Sequence, residues 1–369
     1  MPVESVLELK GIAKEDKRAP YGYEISVEEI KILHKSHEDF PISKKYHGPD
    51  FLLQNRHLYL RSRKMQLILT IRSRVIQLIR EWFTSRGYKE FQSPIFTSSA
   101  VEGGATLFPV KYVDGSTVYL TQSWQLYAEA AIASLGKIFT IAPSFRAEKS
   151  RTRRHLTEYW HVEAEIPFCD IEGLMKEEEE LISFLCQNVA KEFEKELKEL
   201  GRDPKDLLKV KPPFPRITYK EAIEILQKSG VKVKYGDDLG ADEEKILASK
   251  FDIPFFVMFY PKGIKAFYHK LHPEDKSVTL SVDLLAPEGI GEIIGSGQRC
   301  DSYEELIERI KEENLDPKSY EWYLDLRKYG SVVHSGFGLG LERFLMWILK
   351  LDHIRDAIAF PRLINRVYP

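Results

Sequence analysis

The sequence contains few cysteines, no long apolar run and almost no net charge. Its three cysteines, Cys169, Cys186 and Cys300, are far apart and lack a metal-ligand spacing, which argues against a disulfide framework and for a reducing compartment. No apolar run approaches the roughly 20 residues that span a bilayer, and the first ten residues lack a signal-peptide core. The 54 basic and 56 acidic residues exclude a surface coated in positive charge, though not local patches that bind a large RNA. We predict a soluble, cytoplasmic protein.

The beginning of the chain reads differently from the rest. Residues 1–42 predict β-strands, because apolar and polar residues alternate over Ser5–Gly11 and again over Tyr23–Leu33. Two or three strands cannot close a barrel alone, so they either pack against the rest of the chain or form the end of a larger domain. Residues 43–60 form a polar connector that contains glycine and proline.

From residue 61 onward the pattern predicts an α+β domain built on a largely antiparallel sheet flanked by helices. A long amphipathic helix is predicted over Arg61–Arg86, with Gly87 at its end. Strands are predicted at 88–96, 107–112, 117–121, 137–142, 159–167, 254–260, 265–269, 277–285 and 290–295. Further helices are predicted at 171–200, 302–313, 317–329 and 340–350, and residues 202–250 are predicted to be a helical insertion.

The densest cluster of reactive side chains is Ser144–Glu165. Its basic residues are Arg146, Lys149, Arg151, Arg153, Arg154 and His155, and its acids are Glu158, Glu163 and Glu165. A solvated loop is the ordinary explanation of such a run. Here apolar alternation on both sides places the run at the tip of a hairpin, and guanidinium groups bind phosphate oxygens in pairs. The cluster is therefore a candidate phosphate site.

A second candidate is the glycine run His334–Leu345, with glycines at 336, 338 and 340. A glycine inside a strand costs stability and often marks the close approach of a ligand or another backbone. Packing against a helix is the simpler alternative. The spacing is not that of a dinucleotide-binding fingerprint. Arg343 falls in the first turn of the helix that follows, facing whatever the glycines admit.

These two segments resemble motifs 2 and 3 of the class II aminoacyl-tRNA synthetases, and Pro94 resembles the motif 1 proline at that family's dimer interface. The motifs occur in the family's order, and the resemblance covers residues 45–369. It narrows to the aspartyl, asparaginyl and lysyl subgroup through Val101–Gly104, Gln122–Tyr127 and Gly295–Arg299. Residues 1–42 resemble part of that subgroup's OB-type anticodon-binding domain.

The resemblance implies an ATP-consuming ligase that acts as a homodimer on an amino acid and tRNA. Its ATP site would be formed by Arg146, Glu148, Arg154, His155, Leu156, Tyr159, Glu292, Gly340 and Arg343, of which Arg146 and Arg343 would be catalytic. Asp283 and Glu292 would hold Mg²⁺, for which carboxylate oxygens are suitable ligands. The amino-acid site would be formed by Glu102, Ser123, Gln125, Glu129, Glu163 and Arg299.

Two positions indicate the amino acid. In aspartyl members of the family, the segment that matches Gln122–Glu129 has a lysine that pairs with the substrate's side-chain carboxylate. Here Ala128 stands in its place and Glu129 follows, an exchange that should repel aspartate. Glu129 would instead accept a hydrogen bond from the carboxamide of asparagine, while Arg299 donates to its oxygen. The chain therefore resembles the archaeal-type asparaginyl members, which implies activation of asparagine and its transfer to tRNA(Asn).

The short β-segment leaves alternatives open, because relatives carry a complete five-stranded barrel. Either the chain is truncated or it is a natural paralogue. A paralogue would charge tRNA through the acceptor stem, activate aspartate to make asparagine with release of AMP, or bind tRNA without catalysis. Ala128 and Glu129 disfavour the use of aspartate. The intact set of Arg146, Glu148, Glu292 and Arg343 disfavours an inactive protein.

Overall fold

The computed structural model describes residues 1–19, 22–98, 101, 106–148 and 152–369. They form two compact units, one of Met1–Ser62 with Pro369 and one of Arg63–Tyr368. The division falls next to the predicted start of the second domain at residue 61. In the described part of the chain, no helix is both long and apolar enough to cross a membrane.

The first unit contains the predicted strands as an antiparallel pair, β1 (Val6–Glu15) and β2 (Tyr23–His34). Many of their apolar side chains are exposed. The polar connector contains two short helices that the sequence analysis did not predict, α1 (Pro49–Gln54) and α2 (Arg56–Tyr59). Pro49 explains the first of them, since proline is pre-organised for the opening position of a helix.

The second unit begins with the predicted long helix, α3 (Arg63–Ser85). Its apolar stripe is fully buried at Ile68, Ile71, Val75 and Ile79, as expected for an amphipathic helix packed on a core. Gly87 follows with φ +79°, the left-handed conformation in which helices commonly end.

Eleven strands of the second unit form two sheets, counted among the described residues. They are β3 (Lys89–Glu90), β4 (Phe96–Thr97), β5 (Pro109–Lys111), β6 (Thr117–Leu120), β7 (Ile138–Phe145), β8 (Glu158–Pro167), β9 (Arg216–Thr218), β10 (Phe255–Met258), β11 (Ser281–Ala286), β12 (Gly291–Gln298) and β13 (His334–Gly340). The large sheet has the order β3-β7-β8-β13-β12-β11-β10-β9, and the small one the order β4-β6-β5. The large sheet is antiparallel as predicted, except that both edge strands, β3 and β9, pair in parallel.

Helices cover this sheet and extend beyond it. They are α4 (Gln125–Leu135), α5 (Ile171–Glu192), α6 (Glu194–Glu199), α7 (Pro204–Leu208), α8 (Tyr219–Lys228), α9 (Ala241–Ala248), α10 (Tyr303–Glu312), α11 (Glu321–Lys328) and α12 (Leu341–Ile348). The predicted helix over 171–200 breaks at Phe193 into α5 and α6. The predicted insertion contains α7, α8 and α9, but it also supplies β9 to the edge of the large sheet, so it is not purely helical.

Two predicted strands are wrong in detail. Residues 88–96 do not form one strand but contribute β3 and the first residue of β4 to different sheets, with Pro94 between them, a residue that cannot donate to a ladder. Residues 265–269 form no strand apart from a single bridge between His269 and Arg299. There the Arg309 guanidinium donates to the carbonyl oxygens of Lys262 and Lys265 at 2.9 and 3.0 Å, so backbone acceptors are satisfied without a neighbouring strand.

Candidate active site

The basic run lies where the sequence predicted it, at the tip of a hairpin. Strands β7 and β8 pair from Ile138 opposite Glu165 to Phe145 opposite Glu158, and the run connects them. Of its basic residues, Lys149 and Arg151 lie outside the described part of the chain. Because side chains alternate between the two faces of a strand, Tyr159, His161, Glu163 and Glu165 of β8 all point to one face of the sheet.

The glycines of β12 and β13 form a bare patch on that face. Gly295 lies opposite Gly338, and Gly297 lies opposite Gly336. A Cβ atom on Gly338 would stand 2.3 Å from His161 Nε2, and one on Gly336 would stand 2.0 Å from Glu165 Oε2. The close approach that the sequence suggested is therefore made by charged and polar side chains of β8. They lie across the glycines and form the floor of the site.

Two adjoining cavities open above this floor. The larger has a volume of about 760 Å³ and the smaller of about 60 Å³, and they share Arg146, His161, Glu292 and Gly338. All of the residues predicted for ATP line the smaller cavity: Arg146, Glu148, Arg154, His155, Leu156, Tyr159, Glu292, Gly340 and Arg343. The predicted residues Ser123, Gln125, Glu163, Asp283 and Arg299 line the larger one. The arrangement suits two ligands that meet at Arg146.

Strand β12 and helix α12 hold the smaller cavity together through Arg343. Its Nη1 donates to the carbonyl oxygen and to Oε2 of Glu292, both at 3.1 Å, and its Nε donates to the carbonyl oxygen of Arg154 at 3.4 Å. Burial alone would raise the pKa of Glu292. Arg343 outweighs burial, with help from Lys265, Arg146 and Arg154, and the pKa falls to about 2. Glu292 is therefore ionised at neutral pH.

His155 in the smaller cavity is expected to stay uncharged at neutral pH. Burial lowers its pKa from 6.5 to about 4, and the positive charges of Arg343 and Arg154 act in the same direction. An unfolded chain takes up this proton near pH 6.5, so the stability that neutral His155 contributes is complete above that pH and declines as the pH falls toward about 4. NMR of labelled imidazole groups should show the His155 signal, assigned with His155→Asn, unchanged between about pH 5.5 and 8. A midpoint near 6.5 would contradict the expected burial and charge effects.

Asp283 and Glu292 face the same wall of the larger cavity. A Cβ on Gly295 would lie 3.1 Å from Glu292 Oε1 and 3.8 Å from Asp283 Oδ1. Burial, and after it the charge of Glu292, raise the pKa of Asp283 to about 6. They do so in spite of Lys265, whose Nζ donates to both carboxylate oxygens at 2.8 and 2.7 Å. Carboxylate oxygens are suitable ligands for Mg²⁺, but Lys265 pairs with Asp283 and Arg343 pairs with Glu292, so an ion at this site would compete with these cations. The assignment of Asp283 and Glu292 as metal ligands remains a prediction.

Glu163 of β8 lines the larger cavity, and residues at the start of α4 hold its carboxylate in place. Ser123 Oγ donates to Glu163 Oε1, and the Trp124 backbone N–H donates to Oε2 at 3.0 Å. His161 Nδ1 lies 3.4 Å from the same oxygen. Held in this way, Glu163 is oriented to bind a positively charged or donor group of a ligand.

Arg299 and Glu165 form a two-point ion pair on the floor. Arg299 Nε donates to Oε1 at 3.0 Å and Nη2 donates to Oε2 at 3.1 Å, the geometry in which guanidinium and carboxylate bind most strongly. Both side chains are almost fully buried. Both residues line the larger cavity. The contact of Arg299 with the amino acid stays a prediction, and Glu165 was not predicted as a site residue.

Glu129 requires a correction, because it does not line either cavity. Its carboxylate is fully buried behind the larger one, where it accepts from Arg327, from Tyr323 Oη at 2.7 Å and from His334 Nε2 at 2.9 Å. Burial opposes its ionisation, but Arg327 and His334 outweigh burial and hold the pKa of Glu129 far below its usual range. These three partners lie 194 to 205 residues further along the chain, so no local pattern signals them.

Glu129 instead orients Gln125. Its Oε1 accepts from Gln125 Nε2 at 3.0 Å, and an ionised carboxylate can only accept. The amide nitrogen of Gln125 must therefore face Glu129, which leaves its carbonyl oxygen for the cavity. Glu129, Glu165 and His334 lie close enough to hold a metal ion, but the charges of Arg327 and Arg299 already balance the two acids, so a cation fits poorly there.

Two predicted residues remain outside this arrangement. Glu102 lies outside the described residues. Pro94 is exposed and lies away from the residues that line the two cavities, next to Ile95 and Phe96, which are 43% and 49% exposed. Its predicted place at a dimer interface stays a prediction.

The chain is similar to known proteins over nearly its whole length. The family model described as tRNA synthetases class II (D, K and N) matches residues 48–364. An asparagine–tRNA ligase of Pyrococcus abyssi is 54% identical over 368 residues, covering 99% of this chain and 84% of that protein. One from Desulforamulus reducens is 48% identical over 366 residues, covering 99% and 85%. The crystal structure of asparaginyl-tRNA synthetase from Pyrococcus horikoshii complexed with asparaginyl-adenylate matches with a TM-score of 0.95 and 53% identity, covering 99% and 84%.

Proposed function

Because the chain belongs to the class II tRNA synthetases of the D, K and N type, we propose that it activates asparagine with ATP and transfers it to the 3′ end of tRNA(Asn). Its relatives are asparagine–tRNA ligases. The observation that carries the proposal is the pair of adjoining cavities that meet at Arg146. An acyl-adenylate joins an amino acid to a nucleotide through one phosphate, and the residues that line the two cavities are placed to contact its two halves on either side of Arg146.

In the first step the asparagine carboxylate attacks the α-phosphorus of ATP. A new phosphorus–oxygen bond forms as the bond to pyrophosphate breaks, and the product is asparaginyl-adenylate. Arg146 at the junction binds the phosphoryl oxygens and the carboxylate, and so stabilises charge that develops between them. Arg343 and His155 bind the nucleotide. Mg²⁺, when held by Asp283 and Glu292, would neutralise phosphate charge.

Asparagine is oriented by groups whose polarity is fixed. The carbonyl oxygen of Gln125 accepts from the α-ammonium group, and Arg299 donates to the carboxamide oxygen. Glu163 accepts from a donor group of the amino acid. Glu129 acts through Gln125 rather than by direct contact. With these groups in place the substrate carboxylate is held for attack rather than left to find its position by diffusion.

In the second step a ribose hydroxyl at the 3′ end of tRNA attacks the acyl carbon, and AMP leaves. No covalent enzyme intermediate is needed. We further propose that the enzyme works in the cytoplasm as a homodimer, in which a second copy covers the exposed segment Pro94–Phe96. A proline followed by two half-exposed apolar side chains is suited to such burial.

Amino-acid-dependent exchange of pyrophosphate into ATP tests the first step. We expect exchange with asparagine and little or none with aspartate. Exchange driven by aspartate would replace the substrate assignment, and silence with all amino acids would exclude the enzymatic function. Charging of tRNA with labelled asparagine then tests the second step. Exchange without charging would restrict the function to adenylate formation.

A further inference from the structure

We propose that Glu244, in the insertion helix α9, is a positioning residue for ATP: it holds Arg154 and the backbone of Glu292 in the wall of the smaller cavity. The inference deepens the proposed function and rests on ATP being the ligand of this cavity. It also gives the insertion, residues 202–250, a role in ATP binding that the sequence motifs do not indicate.

A single carboxylate oxygen makes both contacts. Glu244 Oε2 accepts from Arg154 Nη1 at 2.6 Å and from the backbone N–H of Glu292 at 2.7 Å. Glu244 and Arg154 are 7% and 8% exposed, so water screens the pair little and the charge-assisted bond is strong. Glu244 thereby connects the hairpin loop of β7 and β8 to the first residues of β12.

The helix that carries Glu244 is itself immobilised. Glu244, Leu247 and Ala248 lie at the spacing that places side chains on one face of a helix. Leu247 and Ala248 are fully buried in a core cluster with Phe255 of β10 and Leu285 of β11. Moving the helix backbone that carries Glu244 would therefore require opening this core, and α9 acts as a rigid support.

The backbone at the start of β12 is shaped around the ion pair. Gly291 has φ +83°, and a Cβ there would stand 2.2 Å from Arg154 Nη1 and 2.4 Å from Glu244 Oε2. Only glycine accepts both this conformation and this contact. The position thus leaves room for two charged groups directly against the strand.

The contact decides which way the Arg154 guanidinium faces. Nη1 is committed to Glu244 and to the carbonyl oxygen of Ile290 at 3.1 Å. Nε is buried and has no hydrogen-bond partner among the described residues. A buried donor without a partner is costly, so the side chain does not hold this position through Nε. Glu244 and Ile290 hold it through Nη1, and they thereby set the direction in which the guanidinium of Arg154 meets a nucleotide in the smaller cavity that it lines.

The test is Glu244→Gln, which keeps the shape and one acceptor oxygen but removes the charge. We expect the KM for ATP to rise about 10- to 100-fold, with the KM for asparagine nearly unchanged. The melting temperature should fall as well, because the buried guanidinium of Arg154 loses its counter-ion. Glu244→Asp, which keeps the charge, should have a KM for ATP between those of the unaltered enzyme and Glu244→Gln. Glu224→Gln makes the same substitution at an exposed position of α8, also in the insertion, and should behave like the unaltered enzyme.

A double-variant cycle and direct binding complete the experiment. In an Arg154→Ala background, Glu244→Gln should raise the KM for ATP less than about threefold, because the contact is already absent. A purely structural role would lower the melting temperature and kcat but leave the KM for ATP unchanged, and would overturn the proposal. Calorimetry measures the affinity for ATP directly, so it tests the role of Glu244 independently of turnover. If the unaltered protein binds ATP more tightly than Glu244→Gln but shows no exchange, the proposed function fails and the inference stands. Equal ATP affinities would refute it.

Discussion

Replacing Arg146 by alanine is expected to reduce asparagine-dependent pyrophosphate exchange about 100- to 1,000-fold in kcat. Arg146 borders both cavities, so its guanidinium is within reach of the attacking carboxylate and of the phosphate that it attacks. Negative charge between the carboxylate and the phosphate develops most strongly in the transition state. A donor aimed at that charge contributes more to kcat than to the binding of either substrate. Steady-state exchange kinetics at varied ATP and asparagine concentrations measure this division.

A matched control is available at the sheet edge. Arg216 of β9 is also an arginine, but it pairs with Glu172 in a half-exposed position, so Arg216→Ala should leave kcat within about twofold. Arg146→Lys separates charge from geometry, since lysine cannot bind two oxygens side by side. An Arg146→Ala variant that loses substrate affinity but retains its kcat would show that Arg146 only binds the ground state.

The second large effect is expected at the floor of the larger cavity. Arg299→Met should destabilise the fold by about 3–5 kcal/mol, because it leaves the buried carboxylate of Glu165 without its counter-ion. It should also remove the donor proposed for the carboxamide oxygen of asparagine. Burial already raises the pKa of Glu165 against the opposing effect of Arg299. Without Arg299 the folded state should take up a proton more readily than the unfolded chain, so the variant gains stability as the pH falls.

The double variant Arg299→Met with Glu165→Gln distinguishes stability from recognition. Removing both charges should restore most of the unfolding free energy, measured by urea denaturation. It should not restore asparagine activation, which needs the guanidinium itself. Recovery of exchange activity in the double variant would mean that Arg299 serves the fold alone, and it would remove Arg299 from the substrate site.

The parts of the fold that the sequence predicted are those with a local periodic signal. Helix α3 has a regular apolar stripe, and β7 and β8 alternate on either side of a basic run. Helix α4 gave no such signal, because Gln125–Leu135 is apolar on most sides and has no side-chain cap at its start. Without an amphipathic stripe, a buried helix cannot be separated from a buried strand by pattern.

The residues of the candidate site were likewise predictable only where they belong to a local motif. Its motif residues form two short runs, one in the hairpin and one in β13 and the start of α12. The structure brings these two runs together around the smaller cavity. Glu129 was misplaced because its environment is set by Arg327 and His334, about 200 residues away. Glu244 escaped notice for a similar reason, since its partner Arg154 lies 90 residues earlier in the chain. Burial of a charge depends on such distant partners, which composition and spacing do not reveal.

The strand order of the large sheet also determines when the sheet can be completed during translation of the nascent chain. Strand β8 lies beside β13 at the centre of the sheet, although β13 leaves the ribosome about 170 residues later, roughly 10 to 30 s at ordinary rates of synthesis. Until then β8 has an unpaired edge, where exposed backbone groups invite pairing with other chains. We therefore expect nascent chains that stall before residue 334 to depend on chaperones, and the site to appear all at once, near the end of translation.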